Sequence, residues 1–427
     1  MKVLPSSTSR LQRAHGAPVS LASVDSARPR RARAALRLVS LVLLALALLS
    51  SGARLDAQEP AAPQTVDAAR LQAAIDALGA LDYTKRTDAA RLVRRTAPAQ
   101  AVPALLAAVS QHADGYVRYK ALILLTGFND PRTLDAMRES MASPNDRLRS
   151  AAYGYFEHNP SPALVPDLLA ALDKEHSEFV RPELVRALAA LGRDPRVQTV
   201  LTREAGRGED FFRSGGIEAL GDYKAAYAFD ALNAIAKLDG PLIDDAALAL
   251  GKIGDSRALE TLAALQRTAP RTAQPSIAAG ICLLGTNCGS HENYLSQSLK
   301  FSDQNIGFQE LLRGAASGLG ALGVGGRESA VTALFDVGIP SRDPTRSPVA
   351  LALATVALRN TALMVSVLKA SPVQADAIAL MAEGFDMLEE DLEKERFFAT
   401  VRRQYWDAPD GSVDRRLMQT LIGKLDF

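Results

Sequence analysis

Few side chains in this sequence are equipped for chemistry. Beyond residue 57 there are four histidines, His112, His158, His176 and His291, and two cysteines, Cys282 and Cys288. Three of the histidines sit beside a glutamate, as Glu157-His158, Glu175-His176 and His291-Glu292. A dimetal centre needs most of a full carboxylate and imidazole set. Only one pair here runs His-Glu, so neither a metal, nor a cofactor, nor a catalytic set is expected. Cys282 and Cys288 lie close to His291 and Glu292, and three fates are open to them. They can form a disulfide, which an oxidising compartment favours, remain free thiols, or join the His and Glu on a single ion. Gly318, Gly320 and Gly323 spell G-x-G-x-x-G, but a phosphate cradle requires a strand before the glycines. A helical run leads into these, and the same Leu-Gly spacing recurs at Gly251 and Gly254.

The elements that position these residues are repeats. Tyr116-Val117-Arg118-Tyr119-Lys120-Ala121 matches Arg147-Leu148-Arg149-Ser150-Ala151-Ala152, then Phe179-Val180-Arg181, then Phe211-Phe212-Arg213. The marker falls at 87, 118, 149, 181, 213, 244 and 276, in steps of 31 or 32, and again at 313 after a longer step. The long step implies an insertion of about five residues in the preceding unit. Looser copies follow near Ser347 and Asp376. Each unit offers an acidic N-cap such as Asp114, Asp146 or Asp210, whose side chain can accept the first free backbone N–H groups. A helix with apolar residues at helical spacing follows and is expected to stop near Leu-Gly (Leu220-Gly221, Leu250-Gly251, Leu319-Gly320). Asp130-Pro131-Arg132, Asp194-Pro195-Arg196 and Asp255-Ser256-Arg257 then open a second helix, because Pro at the first helical position needs no N–H. A small residue three places after the marker (Ala90, Ala121, Ala152, Gly216, Ala247, Ala279, Ala316) suits close helix packing.

Tyr116–Arg132, Ile243–Leu262 and Gln309–Leu334 resemble the short HEAT-like repeats of the bilin lyase family. The resemblance spans roughly residues 67–390 and implies an all-α fold, an α-solenoid of about 8–10 HEAT-like helix pairs of 31–32 residues. It says little about activity, since function lives in sites and not in folds. Deoxyhypusine hydroxylase is also built of HEAT repeats and holds two irons with repeated His-Glu pairs, a set missing here.

Composition agrees with an all-helical chain. Of the 427 residues, 48% are hydrophobic but only 5% aromatic, and Ala and Leu, both strong helix formers, predominate. Residues 1–53 hold eight Lys or Arg against Asp25 alone, so the rest of the chain is mildly acidic. With no basic cluster to neutralise phosphates, nucleic acid is not an expected partner. Residues 1–57 read as a signal or targeting peptide with a long basic n-region, an apolar run from Leu38 to Leu49, and small residues up to Ala53 or Ala57. The run falls short of the roughly 20 residues a membrane span requires. Export to the periplasm or beyond, without a transmembrane anchor in the mature form, is therefore expected; an uncleaved N-terminal anchor or a mitochondrial transit peptide is the alternative. Residues 58–66 then form a linker, 67–390 the solenoid, and 391–427 a C-terminal helical cap.

Two residue sets stand out on this frame. Arg118, Arg149, Arg181, Arg213 and Arg313 form a ladder expected to bond carboxylates and carbonyls between repeats. Tyr116, Tyr119, Tyr153, Phe179, Phe211 and Phe212 concentrate aromatics in a chain poor in them. They are either a partner-binding surface or fillers of gaps between repeats. Together these features point to a non-catalytic scaffold for a protein or peptide. A ligand- or cofactor-handling enzyme of the bilin-lyase type, or a structural subunit of an envelope complex, is the alternative.

Overall fold

The structure, a computed structural model, describes residues 59–238, 240–425 and 427. The expected leader lies outside the described residues. Helices follow in the order α1 (Ala68–Ala77), α2 (Tyr83–Arg95), α3 (Pro98–Gln111), α4 (Gly115–Thr126), α5 (Thr133–Ser140), α6 (Asp146–His158), α7 (Val165–Leu172) and α8 (Arg181–Ala189). Next come α9 (Pro195–Ala205), α10 (Asp210–Asp222), α11 (Phe229–Ala236), α12 (Ile243–Ile253), α13 (Ala258–Thr268), α14 (Gln274–Leu283), α15 (Cys288–Gln304) and α16 (Gln309–Val324). The chain ends with α17 (Glu328–Gly338), α18 (Arg346–Arg359), α19 (Thr361–Ala370), α20 (Gln374–Met387), α21 (Asp391–Asp407) and α22 (Val413–Leu425). Among the described residues the only extended pairing is an isolated bridge between Gln64 and Thr96.

Even-numbered helices carry the repeat markers, and from α4 to α20 each stacks on the next to form a continuous layer. Each odd-numbered helix up to α19 packs against an even-numbered helix next to it in the chain. This is an α-solenoid, in which no helix pair buries its apolar stripe alone and each depends on its neighbours. The small residues after the markers are buried throughout. Asp82, Asp114 and Asp194 cap α2, α4 and α9. At α6 the cap moves one place earlier than expected, to Asn145, and at α10 Asp210 is already inside the helix. Asp130, Asp194 and Asp255 each accept from the backbone N–H and the guanidinium of the Arg two residues on. The insertion is absorbed by lengthening α15 to 17 residues.

The helices end near Leu-Gly as expected, α10 at Asp222, α12 at Ile253 and α16 at Val324, but Gly221, Gly251 and Gly320 lie inside them and are not the residues that stop them. They mark where neighbouring helices of the even layer cross: a Cβ on Gly251 would lie 2.5 Å from the Cα of Gly280, and one on Gly280 2.5 Å from the Ala247 carbonyl. The residue that ends α12 is Gly254, in the left-handed region at φ 81°, where a Cβ would be strained. Gly318, Gly320 and Gly323 all fall within α16, so their spacing makes no phosphate loop.

The C-terminal segment does more than cover the last repeat. Helix α21 lies against α18 near the end of the array and also against α4 and α6 near its beginning. Arg94 of α2 donates Nε and Nη2 to the buried Glu395 at 2.9 and 2.6 Å. Lys120 and Tyr119 of α4 both bond Asp391 at 2.9 Å. Glu59, only 3% exposed, sits between Arg95 and Arg402 at 2.7 and 3.2 Å, while Tyr405 and Trp406 hold the carbonyls of Glu59 and Pro60. The solenoid thus closes on itself through α21.

Candidate functional site

The ladder arginines are engaged by nearby carbonyls and carboxylates. Arg118 donates to the Val109 carbonyl, Arg149 to Glu175 and the Ser143 carbonyl, and Arg181 to Glu204 and the carbonyls of Leu172 and Glu175. Arg213 bonds the Ala205 carbonyl and Asp210, and Arg313 bonds Glu310. Arg86 and Arg346 repeat the pattern on the carbonyls before α2 and α18. The sequence reading missed these two because each sits one place off the marker register.

The aromatic set divides. Tyr153 is 2% exposed in the core of α6 and is not a surface contact; a helical turn past its marker, it points into the stack. Tyr119 is half-buried and committed to Asp391. Phe179 and Phe211, by contrast, are 71% and 60% exposed. They occupy the same repeat position, two before the marker, at the N-terminal ends of α8 and α10. Tyr116 and Arg147 occupy that position on α4 and α6, with the Arg147 guanidinium 5.7 Å from the Tyr116 ring centroid and 5.8 Å from that of Tyr119. Phe212 meets Phe211 edge-on at 5.3 Å and lies under Arg181. One rim of the solenoid therefore presents Tyr, Arg, Phe and Phe across four consecutive repeats. Exposed Leu81 and Tyr83 continue the same kind of surface at the start of α2, as do Ile306 and Phe308 before α16. Beside Phe212, between two inter-helix loops of this rim, opens a cavity of about 380 Å³ lined by Glu175, His176, Arg181, Glu204, Arg207 and Glu209.

A second polar cluster lies where α21 crosses the even layer; of its members only the Glu157-His158 pair stood out in the sequence. Glu157 accepts from Arg186 Nε at 2.9 Å and from the Tyr223 hydroxyl at 3.0 Å. Arg186 also reaches Asp222, which accepts from Lys252 at 2.6 Å. Arg359 of α18 lies 3.2 Å from Glu390 and 3.7 Å from Glu393. Burial alone would raise the Glu393 carboxyl, but the hydrogen bond from His158 and the charges of His158, Arg359 and Arg396 hold it down to about 2. Glu183 is the exception. It has no hydrogen-bond or ion-pair partner among the described residues, and burial together with the Glu157 charge pushes its carboxyl up to about 7. Charged residues eight or nine places past the marker (Glu157, Asp222, Lys252), where an inner helix is ordinarily apolar, were the available signal.

Ligand atoms of Glu157, His158 and Glu393 lie within 4.8 Å of one another. Both carboxylates are already engaged by guanidinium or imidazole groups, so a divalent cation placed there would face Arg186, Arg359 and Arg396. The arrangement is an ion-pair network and not a coordination shell. Cys282 and Cys288 are bonded to each other, joining the end of α14 to the start of α15. His291 contacts Gln266 only at 3.4 Å, and Glu292 is taken by Arg327 at 2.9 Å.

Stacked helix pairs around two successive apolar clusters, one from Leu71 to Ile281 and one from Ala278 to Phe427, define the class, an α-solenoid. Its first repeats, residues 68–155, match the family of HEAT repeats. No curated protein matches the chain. Among solved structures, YibA of E. coli aligns at 17% identity over 51% of this chain and 82% of its own, with a TM-score of 0.38. The CpcE–CpcF complex of phycocyanin lyase from Nostoc sp. PCC7120 aligns at 20% identity over 61% of this chain and 97% of its own, with a TM-score of 0.38. Importin beta aligns at 13% identity over 82% of this chain and 57% of its own, with a TM-score of 0.32.

Proposed function

We propose that this chain is a non-catalytic scaffold of the cell envelope that holds a protein or peptide along the rim formed by Tyr116, Arg147, Phe179 and Phe211. The observation that carries the reading is the pair Phe179 and Phe211, large apolar rings left in solvent at equivalent positions of adjacent repeats. Such rings contribute nothing to the core, while aromatic and Arg side chains dominate binding hot spots. The adjacent cavity carries more carboxylates than guanidiniums, which suits a Lys or Arg of the partner. The charged groups of the central cluster largely neutralise one another, which favours a structural role for it over catalysis. Envelope placement rests on the order of basic, apolar and small residues in 1–57.

The test is a crosslinking pull-down from cell envelopes with wild-type bait and a Phe179→Ala/Phe211→Ala bait of unchanged melting temperature. A partner retained by the first and lost by the second supports the rim, with each ring expected to contribute about 2 kcal/mol to binding. Equal recovery with both baits would sink the rim reading, and a small molecule found in the intact mass would move the assignment to ligand handling. The bait's own N-terminus reads the leader: a start other than just after Ala53 or Ala57 overturns cleaved export.

A further inference from the structure

Gly215 and Gly216 lie in the interior of α10, where Gly weakens a helix relative to Ala. Unlike Gly251 and Gly280, neither is required by a helix crossing. A Cβ on Gly215 would meet Pro182 at 3.8 Å and one on Gly216 would meet Val185 at 3.9 Å, both ordinary contacts. Six other repeats place Ala where Gly216 stands. What the missing side chain leaves open is the wall of the cavity beside Phe212. The floor of that cavity is apolar, from the buried Leu172, Val185 and Leu201. Of its carboxylates, Glu175 is held by Arg149 and Glu204 by Arg181. Asp173 and Glu209 are exposed and have no hydrogen-bond or ion-pair partner among the described residues. An apolar floor with two unmatched, accessible carboxylates suits a side chain with an aliphatic stem and a cationic head.

The two loops that bound the cavity lead into Phe179 and Phe211, and their spacing selects the backbone that can lie across them. Helices α8 and α10 pack against each other, and packed helix axes lie about 8–10 Å apart. A strand repeats the side chains of one face at about 7 or 13 Å, and an α-helix at about 6 or 10.5 Å. A polyproline II chain returns the same face every three residues, a step of about 9 Å. Resting on the rim reading above, we propose that the partner is a Pro-rich segment in polyproline II form, which seats every third side chain on Phe179 and Phe211 and passes one Lys or Arg into the cavity at Gly216. Such a segment is extended before it binds and loses little freedom on docking to exposed aromatic rings.

The experiment is fluorescence anisotropy of the full chain with three labelled peptides. The first is Pro-rich with Leu at every third position and one central Arg, the second has the same composition with Leu at every second position, and the third is the first with Gln in place of Arg. The first is expected to bind about tenfold more tightly than either of the others. Gly216→Leu, which fills the cavity, should weaken the Arg peptide about tenfold and leave the Gln peptide unchanged. Gly216→Ala, whose methyl group meets no clash, should act in the same direction to a smaller extent and keeps the test valid if the Leu variant does not fold. No saturable binding, equal binding of the three peptides, tighter binding of the every-second peptide, or a Gly216 variant that affects the Arg and Gln peptides alike overturns the inference. The envelope pull-down judges the two Phe rings with whatever partner the cell supplies. A partner lost with Phe179→Ala/Phe211→Ala alongside any of those results would leave the rim standing and remove only the Pro-rich segment.

Discussion

Replacing Glu183 by Gln should stabilise this protein, and only above mildly acidic pH. The Glu183 carboxyl is raised from 4.5 to about 7, first by burial and then by the Glu157 charge, with Arg186 and Arg359 opposing. Below about 4.5 the group is protonated in both folded and unfolded chains and favours neither. Between about 4.5 and 7 the unfolded chain ionises while the folded chain keeps its proton, so stability falls as pH rises; above 7 the loss is complete. At about 1.4 kcal/mol per pKa unit the shift corresponds to about 3 kcal/mol. Glu183 retains some contact with water, and screening lowers the expected value to about 2 kcal/mol. Gln keeps the shape, carries no charge, and breaks no hydrogen bond, because Glu183 makes none among the described residues. Urea unfolding of both proteins at pH 4.5, 6 and 8 reads the difference directly. Coincident curves at pH 4.5 and a gain of about 2 kcal/mol at pH 8 are expected. A gain of the same size at every pH, or none at pH 8, would refute the assignment of an ionisation penalty to this residue.

Gly251→Ala places a methyl group against the Gly280 backbone, where no side chain can move aside, and should cost about 1–3 kcal/mol or more. Thermal melting checks it, and Gly254→Ala serves as a comparison that strains a turn without forcing two helices apart. Glu395→Gln leaves the Arg94 guanidinium largely buried without its carboxylate and should cost about 3–5 kcal/mol. Hydrogen exchange should then quicken in α21 and in the C-terminal ends of α2 and α4 together, whereas exchange confined to α21 would count against closure.

The stacking of the repeats was legible because it is local. A marker every 31 or 32 residues, an Asp or Asn before a helix, and an Asp-x-Arg turn each act within a few residues, so their physics is written in short stretches of sequence. Four of the ladder arginines were legible for the same reason: the carbonyl acceptors of Arg118, Arg149, Arg181 and Arg213 lie six to nine residues away. The helix ends near Gly221 and Gly251 were legible but the role of these glycines was not, because a helix-ending glycine and a helix-crossing glycine look alike in one dimension; only the neighbouring helix separates them. Tyr153 falls on the gap-filling side of the two readings left open for the aromatic set, since it is 2% exposed. Nothing local announced that Arg94 would meet Glu395, 301 residues away, or that Glu157 would lie 4.0 Å from Arg359. Those pairings come from the curvature accumulated over many repeats, which no single repeat encodes.

An open stack of repeats is mechanically a spring with two loose ends, and melting can begin at either and travel inward one unit at a time. Joining the first repeats to the last through α21 makes it a hoop. In a hoop the bridged repeats are held twice, so releasing α4 or α6 requires breaking contacts with α21 as well as with its neighbours in the stack. Stretching it loads the seam of Arg94, Lys120, Glu395 and Asp391 before any repeat can unbend. Its circumference is therefore fixed by the number of repeats, and a deletion of one whole unit, harmless in a spring, would leave the two edges of the seam out of reach of each other.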